Sequence, residues 1–199
     1  MKRDTRLMAY AYLKHWLLKE DKYSQQSPFI FSVYQGALDC LKKKYTSSLE
    51  EKVALLVTYF CQLTPANQIL ELGAANETCT GCLNQIASGK VHPLSTQKRF
   101  VQEVEAISPA LLEFQTIDFI LIHSQFIPAD LPVALSHLLP QMNPEGILFF
   151  EGIHQNKVVN ACWKYCQAAT GIQLTLDFFD FGVAFLSYSG AKTHLHLAY

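Results

Sequence analysis

Hydrophobic positions along the chain change their period near Pro65. Before it, residues 4–19 place Leu7, Tyr10, Leu13 and Leu17 at three- and four-residue spacing, which predicts an amphipathic helix with those side chains on its inner face. Pro28 opens a second helical stretch, 28–44, closed by the lysine run 42–44, whose charge suits a helix C-terminus. Ser47 or Ser48 caps a third, with Glu51 three residues after Ser48 completing a capping box. After Pro65 the pattern becomes short apolar runs, each followed by helix-compatible sequence. Gln68–Gly73, Ile117–Ile122 and Gly146–Glu151 read as strands apolar on both faces, the signature of a parallel sheet covered on both sides. Val91–Ser95 is a weaker strand, and Pro93 assigns it to an edge. Ile172–Phe179 and Val183–Tyr188 flank Asp180-Phe181-Gly182 and read as a hairpin, so one of them runs antiparallel to the rest.

The predicted architecture is a helical segment over 1–64 and an open, doubly wound, mostly parallel Rossmann-like α/β sheet over 65–199, closed by an antiparallel hairpin. Such sheets bind ligands beyond the carboxyl ends of their strands. Between Thr96 and Thr116 there are 21 residues, too few for the helix, strand and helix of a further unit at about a dozen residues per crossover and five per strand. A third strand is therefore expected to be missing or vestigial, with one helix over 100–107 and a linker over 109–115.

Composition narrows the function classes. The 199 residues carry 16 Lys+Arg and 17 Asp+Glu, half of the chain is apolar, and the net charge is −1. That balance argues against a nucleic-acid binder and against disorder. No run of about 18 apolar residues marks a membrane span, and no export signal follows the N-terminal charges. A cytoplasmic protein with six reduced cysteines is expected, acting on a small-molecule ligand, with no nucleic-acid or membrane partner and with homo-oligomerisation open. Residues 1–64 are net positive by four and residues 65–199 net negative by five.

The run ILELGAANETCTG (69–81) resembles the first motif of class I S-adenosylmethionine-dependent methyltransferases: a strand ending in an acid, then a Gly-rich turn into a helix. DFILIHS (118–124) and GILFFEGIH (146–154) are similar to the fourth and fifth strands of small O-methyltransferase-like members. LTLDFFDFGVAFLS (174–187) is similar to the closing strand pair. KYSQQSPFIFSVYQ (22–35) is similar to an HSPF-type leader of a bacterial branch, with Gln26 where that leader has His. The resemblance implies S-adenosylmethionine as cofactor, with Glu71, Gly73, Ala74, Ala75, Glu77, Ser95 and Phe126 around it and His123 or His154 as general base.

Three departures weigh against that cofactor. Glu77 stands where the turn has its second Gly and would face the cofactor's carboxylate, unless it merely starts the helix, where an acid suits the dipole. No acid lies between Lys90 and Arg99 to hold the ribose, leaving Ser95 and a neutral contact. The third unit is too short. A metal is not expected. His123, Glu151 and His154 form a two-His-one-carboxylate set should their loops converge, and are otherwise polar strand ends. Cys79 and Cys82 form a CxxC at a helix start, and with Cys162 and Cys166 a four-cysteine zinc set, but buried thiols are the ordinary reading. His194 and His196 alternate on an edge strand expected to face solvent. Tyr10, Tyr12 and Trp16 have two readings, as cover for a substrate pocket or dimer contact and, as the expected one, packing against the sheet; Phe178, Phe179, Phe181 and Phe185 are expected to form core and hairpin contacts. Two functions follow: a methyltransferase of a small molecule, or a non-catalytic protein on the same scaffold that has lost the cofactor and serves in binding or assembly.

Overall fold

A computed structural model describes residues 5–19, 27–43, 49–64, 66–73, 77–86, 90–94, 116–125, 131–155 and 157–197. The expected helix over 100–107, the linker over 109–115 and the Ser47/Ser48 cap lie outside them. Three helices come first: α1 Thr5–Leu18, α2 Pro28–Lys43 and α3 Leu49–Gln62. The alternating part follows as β1 Gln68–Leu72, α4 Glu77–Ile86, β2 Lys90–Leu94, β3 Ile117–Ile122, α5 Leu131–Leu138, β4 Met142–Glu151 and α6 Lys157–Ala168. The chain ends in β5 Leu174–Asp177, β6 Phe181–Phe185 and β7 Thr193–His196.

The strands form one seven-stranded sheet in the order β2-β1-β3-β4-β6-β5-β7. β6 is antiparallel to both β4 and β5, and the other pairings are parallel. β2 takes the edge that Pro93 calls for, where a missing N–H breaks no ladder. Among the described residues no strand lies beyond it. The chain leaves β1 toward β2 in one direction and continues at β3 on the other side, so the topological switch point lies between β1 and β3.

Alternation along the strands feeds two cores. Ile69, Phe119, Leu121, Ile147 and Phe149 face α2, α3 and α4, packing on Val33, Ala37, Val57, Phe60 and Leu83. Leu70, Leu72, Ile120, Ile122, Leu148 and Phe150 face α5 and α6, packing on Leu131, Leu135, Val159 and Trp163. Apolar residues on both strand faces are thus buried by helices on both sides, as the continuous hydrophobic runs require. At the sheet's lower edge the Asp118 carboxylate accepts the backbone N–H groups of Asn67 and Gln68 at 2.8 and 3.0 Å and the Asn143 amide at 3.1 Å, tying the starts of β1, β3 and β4 together.

Three expectations fail here. Of the expected stripe, Tyr10, Leu13 and Leu17 are not on the inner face of α1: Tyr10 is 71% exposed and Leu17 67%, while among the described side chains Ala11 and His15 are the buried pair. Tyr12 and Trp16 are exposed as well, so they do not pack into the core, although the Tyr12 ring meets Phe179 edge-on at 5.2 Å. A polar anchor, His15, overrides the hydrophobic pattern. The hairpin turn also falls earlier than expected, at 178–180, with Phe181 and Gly182 already inside β6. Gly182 serves close packing instead: a Cβ there would lie 2.8 Å from the Trp163 indole of α6. The turn's left-handed residue is Phe179 (φ 70°), an uncommon conformation for a bulky side chain.

Candidate functional site at the carboxyl edge of the sheet

β1, β3, β4, β5 and β7 all end on the same edge, and each delivers a polar side chain there: Glu71, His123, Glu151, Asp177 and His196. The turns that leave β1 and β4 pass through Gly73 (φ 83°) and Gly152 (φ 68°), conformations that favour glycine. The edge side chains sort into two clusters.

The first sits at the switch point. His123 is 2% exposed, and its backbone N–H donates to the Leu72 carbonyl at 3.0 Å, which places its ring between β1 and β4. Nε2–H donates to Glu71 at 2.8 Å and Nδ1–H donates to Glu151 at 3.2 Å. Glu71 is fully buried, and both its oxygens also accept the Thr80 hydroxyl of α4 at 2.9 Å. Glu151 accepts the Ser124 N–H at 3.1 Å. Burial disfavours a charged ring, but the hydrogen bonds and charges of Glu151 and Glu71 outweigh it and push the imidazole up to about 9. Burial likewise works against the Glu151 carboxylate, and the His123 hydrogen bond overcomes it and lowers the Glu151 carboxyl. Both ring nitrogens of His123 thus face carboxyl groups, an arrangement that favours the imidazolium.

The second cluster gathers on Asp177 at the end of β5. His154, after β4, donates Nε2–H to Asp177 Oδ2 at 2.9 Å, while its Nδ1 accepts the Asn160 amide of α6 at 3.3 Å. His196 Nδ1 of β7 lies 3.2 Å from the same oxygen. His15 of α1 donates Nε2–H to the Asp177 backbone carbonyl at 3.0 Å and lies 3.5 Å from Oδ1, which also accepts the Phe179 N–H at 2.9 Å. Burial works against the Asp177 charge, yet the His154 hydrogen bond and the His196 ring beside it hold its carboxyl far below the usual range. Burial lowers the His15 ring, and the neighbouring His196 and His154 add to that against the pull of Asp177. The Phe179 ring packs on both His15 and His154, centroids at 5.6 and 5.3 Å.

Of the residues assigned by resemblance, the structure joins Glu71 to His123 and joins His123 to Glu151. His154 lies on Asp177 instead of completing a set with His123 and Glu151. Gly73 forms the tight turn after β1, and Glu77 is the first residue of α4. Ala74, Ala75, Ser95 and Phe126 lie outside the described residues. Cys79 and the pair Cys162/Cys166 belong to cores on opposite faces of the sheet, so no four-cysteine site forms. Burial pushes the Cys162 thiol up to about 12 and Cys166 higher still, and every cysteine is free. Sequence reading assigned His196 to solvent and gave no role to His15 or Asp177. The one signal was the i, i+4 pairing of Ala11 with His15, a narrow face hidden among larger apolar side chains. No described helix is long and apolar enough to cross a membrane.

S-adenosylmethionine, the cofactor that the first-motif resemblance implies, finds a glycine turn at Gly73 but no free acid among the described residues of this edge. Glu71 is spent on Thr80 and His123, Glu151 on His123 and Ser124, and Asp177 on three histidines. No protein-family model and no curated protein matches the chain. Solved structures do. An O-methyltransferase from Bacillus cereus, in complex with S-adenosylhomocysteine, is 13% identical over 81% of this chain and 92% of its own, with a TM-score of 0.53. The O-methyltransferase TomG from Streptomyces achromogenes, involved in tomaymycin synthesis and in complex with S-adenosylmethionine, is 14% identical over 94% of this chain and 100% of its own, with a TM-score of 0.51. At such identities the likeness is one of fold, and the chain has the Rossmann-like fold of the class I S-adenosylmethionine-dependent O-methyltransferases.

Proposed function

We propose that this chain is a non-catalytic protein on a small-molecule methyltransferase scaffold, one that has given up S-adenosylmethionine and uses its carboxyl edge for binding. The observation that carries the reading is His123. It occupies the switch point where a doubly wound sheet receives its ligand, and there it is clamped between Glu71 and Glu151. A general base must hold a free lone pair at working pH. His123 donates from both nitrogens, and its raised affinity for protons keeps it charged at neutral pH. His154, the other candidate, donates from Nε2 to Asp177 and accepts at Nδ1 from Asn160, so neither nitrogen is open to a substrate. The carboxylates at the ends of β1 and β4 are neutralised from within, which also leaves that pair no reason to hold a divalent cation.

Calorimetric titration of the full chain with S-adenosylmethionine and S-adenosylhomocysteine tests this. No heat is expected up to millimolar ligand. Binding in the micromolar range or tighter would overturn it. That outcome would favour the second reading, an active methyltransferase of a small molecule, whose support is the left-handed glycine turn at Gly73.

A further inference from the structure

The Asp177 cluster stands apart from the switch point, and among the described residues that the methyltransferase resemblance assigns it holds His154 alone. Three elements remote in sequence meet there: His15 from the first helix, Asp177 from β5 and His196 from the last strand. One ligating atom from each lies within 4.8 Å of the other two. His15 Nε2 lies 3.5 Å from Asp177 Oδ1 and His196 Nδ1 3.2 Å from Oδ2, so each imidazole faces one oxygen of the same carboxylate at about the 3.4 Å that separates ligands placed about 2.0–2.1 Å from a tetrahedral zinc. His196 Nδ1 is buried and makes no aligned hydrogen bond, leaving a nitrogen in the protein without a satisfied partner. The cluster opens on a cavity of about 130 Å³, walled also by Asn160 and by Trp163, whose buried indole N–H has no acceptor among the described residues.

We propose that His15, Asp177 and His196 form a zinc site that fastens α1 to the carboxyl edge of the sheet. Two imidazoles and one carboxylate are a donor set suited to zinc, and three protein ligands leave a fourth position for water on the cavity side. His154 supplies the outer support: its hydrogen bond to Asp177 Oδ2, backed by Asn160 at its other nitrogen, orients the carboxylate. On binding, zinc takes the Nε2 lone pair of a neutral His15 ring whose proton moves to Nδ1, and the hydrogen bond to the Asp177 carbonyl is exchanged for the metal bond. The packing of α1 gives the site a purpose. Among the described side chains of that helix Ala11 and His15 are the buried ones, Tyr10, Leu13 and Leu17 face outward, and His15 lines two cavities. A helix with so few described side chains buried gains from a ligand bond at His15, because an association of the native form with metal stabilises whatever it orders.

The test is titration of chelator-treated full chain with zinc chloride, read by calorimetry and by trypsin cleavage at Lys14 and Lys19 of the first helical segment. One equivalent is expected to bind at submicromolar concentration and to slow cleavage at those lysines at least fivefold. His15→Ala leaves the sheet intact and is expected to weaken binding at least tenfold and abolish the protection. His196→Gln should weaken binding similarly, while Cys82→Ser, which removes the half-exposed thiol, leaves it unchanged. Absence of stoichiometric binding overturns the site, as does binding unaffected by His15→Ala. Zinc binding without protection of Lys14 and Lys19 overturns the fastening role. Neither readout involves S-adenosylmethionine, so this proposal and the loss of the cofactor stand or fall separately.

Discussion

Replacing His123 with Ala would strand two carboxylates inside the protein. Removing one partner of a buried ion pair costs about 3–5 kcal/mol, because the remaining charge has neither water nor a counter-ion. That loss is expected in urea unfolding of His123→Ala, with a smaller one for Glu71→Gln, where the ring keeps Glu151. The same residue sets a pH dependence. Its proton is held more tightly in the folded protein, at about 9, than in the unfolded chain, at about 6.5. The stabilisation is therefore complete below about pH 6.5 and disappears as pH rises through 9, a change on the order of 3 kcal/mol. His123→Gln should unfold with little dependence across that window. The sequence marked His123 as a strand-end group with chemistry, and that much was readable. Its partners were not. Glu71, Thr80 and Glu151 are distant in sequence or on other strands, and only the pairing of β1, β3 and β4 brings them to one ring. His15 and Asp177 were less visible still, since a lone polar residue in an apolar helix or at the end of an apolar strand carries no local sign of its partner.

The elements were legible where one physical signal dominated. Runs apolar on both faces gave β1, β3 and β4, and Pro93 placed β2 at an edge. The hairpin was legible but its turn was not, because Gly182 fits two purposes, a turn or a close approach, and only the position of Trp163 decides. Gly182→Ala pushes a methyl against that indole and is expected to destabilise the protein by roughly 1–3 kcal/mol, seen as a lowered thermal midpoint. Combining it with Trp163→Leu should recover part of the loss, a non-additivity that marks the two as direct neighbours. For α1 the three- and four-residue spacing misled: Tyr10, Leu13 and Leu17 are exposed, and the smaller Ala11 and the polar His15 are buried in their place. Leu13→Ser and Leu17→Ser are expected to change stability by less than about 0.5 kcal/mol each in thermal unfolding, as for other exposed positions. Were they core residues, each would cost several times that.

Taken whole, the molecule keeps the layered scaffold of a methyltransferase while the described part of its ligand edge is neutralised from within. Its fold followed from hydrophobic patterning and motif order, which survive at identities of 13–14% to solved relatives. Its site did not follow, because ligand binding depends on a few side chains whose partners are set by tertiary structure. Two separate networks now span that edge, one centred on His123 at the switch point and one on Asp177 beside the first helix. The reading that the edge no longer serves the cofactor rests on His123 being a buried cation. An NMR pH titration of the His123 ring, with and without millimolar S-adenosylmethionine, measures that state directly. A ring protonated on both nitrogens through pH 8, titrating near 9 and unmoved by the cofactor, is the expected result. A ring that titrates at or below 6.5, or whose resonances shift when S-adenosylmethionine is added, would contradict it.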